Sequence, residues 1–133
     1  MLKTVLRWLL GIAFIAAGIN HFWHPDFYLK IMPDYLPWHR ELVYLSGVCE
    51  IVAGALLLHR QTQSLAAWGI VAMLLVFFTV HIDMLVHAER YPEVSPAFLW
   101  GRLLLQFVLV AWAWLYTGRP ASPLSPLRER GRG

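Results

Sequence analysis

The sequence predicts an all-α integral membrane protein, a four-helix bundle joined by short loops. Of its 133 residues, 59% are hydrophobic and only 14% are charged, whereas a soluble domain usually carries about 25% charged residues. Four stretches of about 20 residues are apolar enough to cross a bilayer as helices. These helices and their connections use nearly the whole chain, so no separate soluble domain is expected.

The four helices form one predicted domain, residues 1–117. They are expected over residues 2–23, 41–58, 64–86 and 97–116. The first stretch has a basic start and the small run Ala16-Ala17-Gly18, features that also suit a cleaved signal peptide. We interpret it as a membrane span because it is long enough to cross the bilayer, and because its removal would leave an odd number of helices.

Two segments outside the predicted spans differ in composition. Residues 24–40 combine Pro25, Pro33 and Pro37 with several aromatic side chains. This mixture breaks regular helix and suits a loop or a short helix lying in the membrane interface. Residues 118–133 are rich in Pro, Ser, Gly and Arg and lack periodicity, which predicts a disordered basic tail.

Lysine and arginine residues are divided unequally between the two sides of the predicted bundle. The side of the termini carries seven, among them Lys3, Arg7 and Arg60, whereas the other side carries four together with six acidic residues. Cytoplasmic segments carry the excess of positive charge. We therefore expect a multi-pass protein of the bacterial inner membrane with both termini and the tail in the cytoplasm.

The basic balance could also indicate a nucleic-acid partner, since the sequence pI is about 9.4. The basic residues, however, lie at helix ends and in the tail, where they orient a membrane protein. The sequence therefore predicts contact with the lipid bilayer and no nucleic acid. The single cysteine, Cys49, rules out an internal disulfide and a CxxC redox motif.

Polar or ionisable side chains occur within the predicted spans or at their outer ends. They are Asn20, His21, Glu50, His81, Asp83, Arg102 and Gln106. Such groups are costly in a bilayer and normally face the bundle interior, where they find partners. All four helices contribute at least one of them, so we expect a polar intramembrane cluster in the outer half of the bundle.

Small residues in the first two helices indicate how this cluster is assembled. Gly18 and His21 share one face of the first helix, and Gly47, Glu50 and Gly54 share one face of the second. Small residues at such spacing let two helices approach closely. This close approach would bring His21 toward Glu50.

The third and fourth helices supply the other members of the cluster. Arg102 and Gln106 are four residues apart and share a face. His81 and Asp83 are two residues apart and cannot both point at one centre from a regular helix. Because an unpaired charge inside a bundle is costly, we expect Arg102 to pair with Glu50, with Asp83 as the competing partner.

Four interpretations of the cluster are open from the residues alone. The first is a polar network that only fixes helix packing, and the second is a pocket for a quinone headgroup, whose carbonyls accept hydrogen bonds. The third is a metal or haem site with His21, His81 and Glu50 as ligands, although no dedicated motif such as HExxH is present and no metal site is assigned. The fourth is a proton relay through Glu50 and His21.

Three short motifs resemble those of the DoxX-like proteins. The run G-I-N-H-F at residues 18–22, followed by Pro25 and Phe27-Tyr28, resembles the first-helix signature of that family. Residues 47–54 resemble its G-x-x-E-x-x-x-G second helix. Residues 102–106 resemble its R-x-P-x-Q motif, with Leu104 in place of the proline. The resemblance extends from about residue 2 to residue 117 in consistent order and spacing.

This resemblance implies a four-helix membrane fold and outlines a function. The DoxX-like family includes the DoxD-type subunit of thiosulfate:quinone oxidoreductase and partners in membrane redox complexes. For this chain, the resemblance implies a small membrane subunit of a redox system. Such a subunit would transfer electrons to or from quinone and would bind a redox partner protein. The residues to which it points are His21, Glu50, Arg102 and Gln106. The alternative is a non-catalytic membrane protein that assembles or stabilises a partner, and an oligomer is compatible with either role.

Overall fold

The computed structural model describes residues 1–118, which fold as a bundle of helices. Five α-helices follow one another along the chain: α1 (Leu2–Trp23), α2 (Pro25–Ile31), α3 (His39–Leu58), α4 (Gln63–Val86) and α5 (Pro96–Trp114), with a single 3₁₀ turn over Ala88–Arg90 between the last two. The described residues contain no strand. The expected all-α bundle with four long helices is confirmed, and the predicted tail from residue 119 onward lies outside the described residues.

The ends of the long helices agree with the predicted ends to within two residues. Helix α5 begins at Pro96, one residue early, because the Ser95 side chain accepts a hydrogen bond from the Phe98 N–H and proline suits the first helical position. Helix α3 begins two residues early, directly after Trp38, whose φ of 50° lies in the left-handed region. The proline-rich segment that was expected to form a loop or short helix contains α2.

The four long helices are each long and apolar enough to cross a membrane. Their mean hydropathy lies between 1.5 and 2.3, and only 17% to 33% of the residues in these stretches are buried inside the protein. Large apolar side chains cover the outward faces, such as Leu65 (72% exposed) and Val76 (63% exposed). Such continuous apolar surface suits lipid rather than water. The fold is that of a multi-pass membrane protein.

Helices α1 and α3 approach each other through facing glycines. A Cβ atom placed on Gly18 would lie 2.5 Å from the carbonyl oxygen of Gly47, and one placed on Gly54 would lie 2.6 Å from the carbonyl oxygen of Gly11. No larger residue fits against a backbone atom at these distances. The close approach predicted from the spacing of the glycines is confirmed.

The remaining long helices continue the bundle, with α4 packed against both α3 and α5. The main apolar core is shared by α1, α3, α4, the end of α5 and the turn that follows it, and includes Leu10, Leu57, Ile70 and Tyr116. The Tyr116 hydroxyl donates a hydrogen bond of 2.7 Å to the carbonyl oxygen of Lys3. The start of α1 and the end of α5 therefore lie at one end of the bundle. A smaller apolar cluster packs Ile31 of α2 against Met84 of α4 and Leu99 of α5.

Candidate functional site

The contact between α1 and α3 places His21 against Glu50. The His21 Nδ1 atom lies 3.0 Å from Glu50 Oε2, and each side chain is only 8% exposed. The same nitrogen lies 2.9 Å from the carbonyl oxygen of Ala17. Because one Nδ1–H cannot point at both acceptors, Glu50 Oε2 is buried without a well-aligned hydrogen bond from any described residue. We refer to these two side chains as the His21–Glu50 pair.

Tyr28, on the short helix α2, covers the His21–Glu50 pair. Its ring stacks on the His21 ring with the centroids 3.8 Å apart and the planes 16° apart. Its hydroxyl accepts a hydrogen bond of 2.7 Å from Asn20 Nδ2. Tyr28 was not among the residues predicted for the polar cluster, because α2 lies outside the spans. Its position three residues after Pro25, where the chain turns back over the bundle, was the available signal.

Arg102 lies in aromatic and thioether surroundings on the first half of α5. Its Nη1 is 3.9 Å from the Met84 sulfur, and its guanidinium carbon is 6.0 Å and 5.9 Å from the ring centroids of Phe27 and Phe98. These distances suit cation–π attraction. The Phe27 ring in turn packs edge-on against the Tyr28 ring, with the centroids 5.4 Å apart. The half-buried cation is thus held by rings and sulfur.

The predicted ion pair between Arg102 and Glu50 is not formed, and neither is the competing pair with Asp83. Within residues 1–118 no carboxylate lies within ion-pair distance of Arg102. Glu50 is turned to His21 by the glycine contact between α1 and α3. Asp83 Oδ1 lies 3.2 Å from the Nδ1 atom of His87, one turn along the same helix. Local spacing therefore supplies the partner of Asp83 without any help from packing.

Gln106 ties α5 to α4 near the middle of the bundle. It is 5% exposed, and its Nε2 atom donates a hydrogen bond of 3.0 Å to the carbonyl oxygen of Leu74. The Gln106 side chain also lies beside that of His81. His81 in turn lies close to Arg102. His81 and Asp83 thus have different partners, as their two-residue spacing predicts.

The predicted polar residues form two neighbouring groups and one separate pair. The first group consists of Asn20, His21 and Glu50, the second of His81, Arg102 and Gln106, and the separate pair is Asp83 with His87. On α2, Tyr28 stacks on His21 of the first group, and its neighbour Phe27 faces Arg102 of the second. The two groups are therefore connected through the short helix α2 and not through a direct bond between Glu50 and Arg102.

A cleft of about 420 Å³ opens beside Arg102, between α2, the connection from α4 to α5, and the start of α5. Its walls include the apolar side chains of Phe27, Ile31, Met32, Met84 and Phe98, three cations, Lys30, Arg90 and Arg102, and two acids, Asp34 and Glu93. Arg90 donates a hydrogen bond of 2.6 Å to Asp34, so that cation is already neutralised. We call this space the Arg102 cleft.

The size and lining of the Arg102 cleft suit a small polar headgroup. Ligand pockets commonly enclose about 300–1,000 Å³ and combine apolar walls with a few placed polar groups. A guanidinium without a carboxylate partner can donate hydrogen bonds to a carbonyl or an anionic oxygen. In the described part of the chain, no three His, Cys, Asp or Glu side chains are grouped as metal ligands.

Fold and site together define a small multi-pass membrane protein with a few buried polar side chains in its bundle and a cleft beside Arg102. The chain belongs to a family described as a domain of unknown function (DUF8561), whose model matches residues 10–117. Searches of curated proteins and of solved structures each gave no match.

Proposed function

We propose that this protein is a small membrane subunit or partner of a quinone-linked redox system, related to the DoxX-like proteins, and that the Arg102 cleft holds the quinone headgroup. The observation that carries the proposal is Arg102 itself. It is a half-buried cation with no carboxylate partner among the described residues, on the wall of a cleft lined by Phe27, Phe98 and Met84. A flat ring with carbonyl oxygens matches aromatic walls and a guanidinium donor.

The residues that carry the DoxX-like resemblance support this proposal by their placement. His21, Glu50 and Gln106 are each about 95% buried, and Arg102 faces the cleft. A bundle that served only as a lipid-embedded scaffold would have little need for ionisable groups at these positions, because each is costly in a bilayer. Two buried ionisable groups, a buried amide and an arginine on the cleft wall together favour a ligand.

Quinone binding provides the direct test of the proposed function. We expect protein purified in mild detergent to bind a short-chain ubiquinone or menaquinone analogue, and Arg102→Gln to weaken that binding about tenfold or more, since hydrogen bonds to charged groups contribute about 1.5–3 kcal/mol. Equilibrium binding and native mass spectrometry measure the effect. Arg90→Gln is the matched control, because Arg90 lines the same cleft but is committed to Asp34. Equal binding by Arg102→Gln and the wild type would rule out the Arg102 cleft as the quinone site.

A non-catalytic assembly or stabilising role is the second candidate, and the surface of α5 favours it. Only Leu99, Gln106 and Ala113 of this helix are buried, while Trp100, Phe107 and others are more than half exposed. A helix covered on one side only has room for a partner helix. The same preparation distinguishes the two roles, since a quinone-free protein that retains one stoichiometric partner would support assembly.

We further propose that the protein lies in the bacterial inner membrane with both termini in the cytoplasm. The end of the bundle that holds Lys3 and Tyr116 also holds Arg7, which donates a hydrogen bond to Gln63 at the start of α4. This positive end is expected to face the cytoplasm. A periplasm-active reporter should be active when fused after Tyr35 and silent when fused after Arg132. Activity from the Arg132 fusion would show that the protein has the opposite orientation.

A further inference from the structure

The charged side chains on the walls of the Arg102 cleft do not balance one another. Arg90 and Asp34 form an ion pair, because their charged atoms are only 2.6 Å apart. The other charged groups on the walls are Lys30 and Arg102, which are positive, and Glu93, which is negative. Among the described residues, none of these three forms an ion pair. The cleft therefore has an excess of positive charge, which attracts an anion.

Arg102 lies at a depth where a lipid headgroup can reach it. Helix α5 is long and apolar enough to span a membrane and begins at Pro96, so Arg102 lies about 9 Å along the helix axis from that start. The headgroup region adds about 5–7 Å to each side of the hydrocarbon core. Long basic side chains near the end of a span extend their charged groups to this region. The guanidinium can therefore meet a lipid phosphate.

An apolar surface continues from the cleft toward the bilayer. Phe98 lies on the cleft wall, yet it is 55% exposed. Leu105, two turns further along the same face of α5, is 54% exposed. An amphiphile can therefore place its polar group in the cleft and its hydrocarbon chain along α5. A small anion dissolved in water would gain nothing from this apolar surface.

We propose that the Arg102 cleft binds the phosphate of an anionic phospholipid, with Arg102 and Lys30 as its hydrogen-bond donors and with an acyl chain along α5. Contacts between a guanidinium and a phosphate are charge-assisted and can be bidentate, which makes them strong. Glu93, on the same wall, opposes the anion and limits the affinity. This inference goes beyond the proposed function, because it concerns the cleft without quinone, and a quinone headgroup would have to displace the phosphate.

The test is a titration of the delipidated full chain with dioleoyl-phosphatidylglycerol in mild detergent, without quinone, followed by native mass spectrometry. We expect Arg102→Gln to weaken lipid binding about tenfold, the effect of losing a hydrogen bond to a charged group. Lys30→Gln should weaken binding by up to about fivefold, the contribution of one basic residue near the membrane surface. Glu93→Gln should strengthen binding, because it removes a carboxylate that repels the phosphate. Damage to the fold would not produce this gain.

The matched control is Arg40→Gln, which should leave lipid binding unchanged. Arg40 is an exposed cation near the start of α3, at the same end of the bundle, and lies outside the cleft walls. Unchanged binding in both Arg102→Gln and Glu93→Gln would overturn the site. Equal binding of dioleoyl-phosphatidylcholine, whose headgroup is zwitterionic, would overturn the preference for an anionic lipid.

Inorganic phosphate distinguishes a lipid from a dissolved anion. We expect it to displace the lipid only at a large excess, because it lacks the acyl chain. Displacement at equal concentration would show that the chain contributes nothing and would overturn the assignment to a lipid. Because the assay contains no quinone, its failure leaves the proposed function standing, and failure of quinone binding leaves the lipid site standing.

Discussion

Replacing Gly54 with leucine is expected to abolish most of the folded protein. A Cβ atom at this position already lies 2.6 Å from the carbonyl oxygen of Gly11, and this obstacle is a backbone atom that cannot rotate away. Overpacking a well-packed site costs about 1–3 kcal/mol and occasionally more, and here two helix backbones would have to separate. We expect a several-fold loss of monodisperse protein in mild detergent, with a clear drop in melting temperature for whatever survives.

The matched control for this change is Gly69→Leu on α4. It introduces the same side chain into another span, at an exposed position where a Cβ atom would meet nothing within 4 Å. Its yield and melting temperature should equal those of the wild type. If the Gly54 and Gly69 variants behave alike, α1 and α3 do not pack through Gly11 and Gly54.

Breaking the His21–Glu50 pair is also expected to have a large effect on stability. Removal of one partner of a buried pair typically costs about 3–5 kcal/mol, because the remaining polar group stays buried without compensation. Glu50→Leu and His21→Leu should each destabilise the protein on this scale in denaturant or thermal unfolding. The double variant should lose at least about 1 kcal/mol less than the sum of the two single losses, since neighbouring groups are not additive.

Two further comparisons test whether this energetic coupling is specific to His21 and Glu50. Asp83→Asn disrupts an acid–histidine pair of the same type, but His87 is 36% exposed there, so the cost should stay below about 1 kcal/mol. A cycle with Glu50→Leu and Arg102→Gln should be additive to within about 0.5 kcal/mol, because the two residues form no direct pair. Strong coupling between Glu50 and Arg102, with none between Glu50 and His21, would contradict the arrangement described here.

The four spans and their approximate ends could be predicted from the sequence because the bilayer leaves few choices. A backbone in lipid must satisfy its own hydrogen bonds, so an apolar run of about 20 residues becomes a helix whatever its neighbours are. The contact of α1 with α3 was also predictable, because small residues on one face let two helices approach closely. Glycines such as Gly18 and Gly47 repeat on one face of each helix, and His21 and Glu50 lie on those same faces.

The partner of Arg102 and the site around it depended on tertiary structure. The sequence shows that a buried arginine needs groups that stabilise its charge, but it does not show which groups these are. Here aromatic rings and a thioether surround the guanidinium in place of a carboxylate. The short helix α2 decides this outcome. By folding back over the bundle it brings Phe27 to the guanidinium and places Tyr28 on His21. Helix periodicity describes contacts within one span, whereas the path of a connecting segment is set by what it packs against.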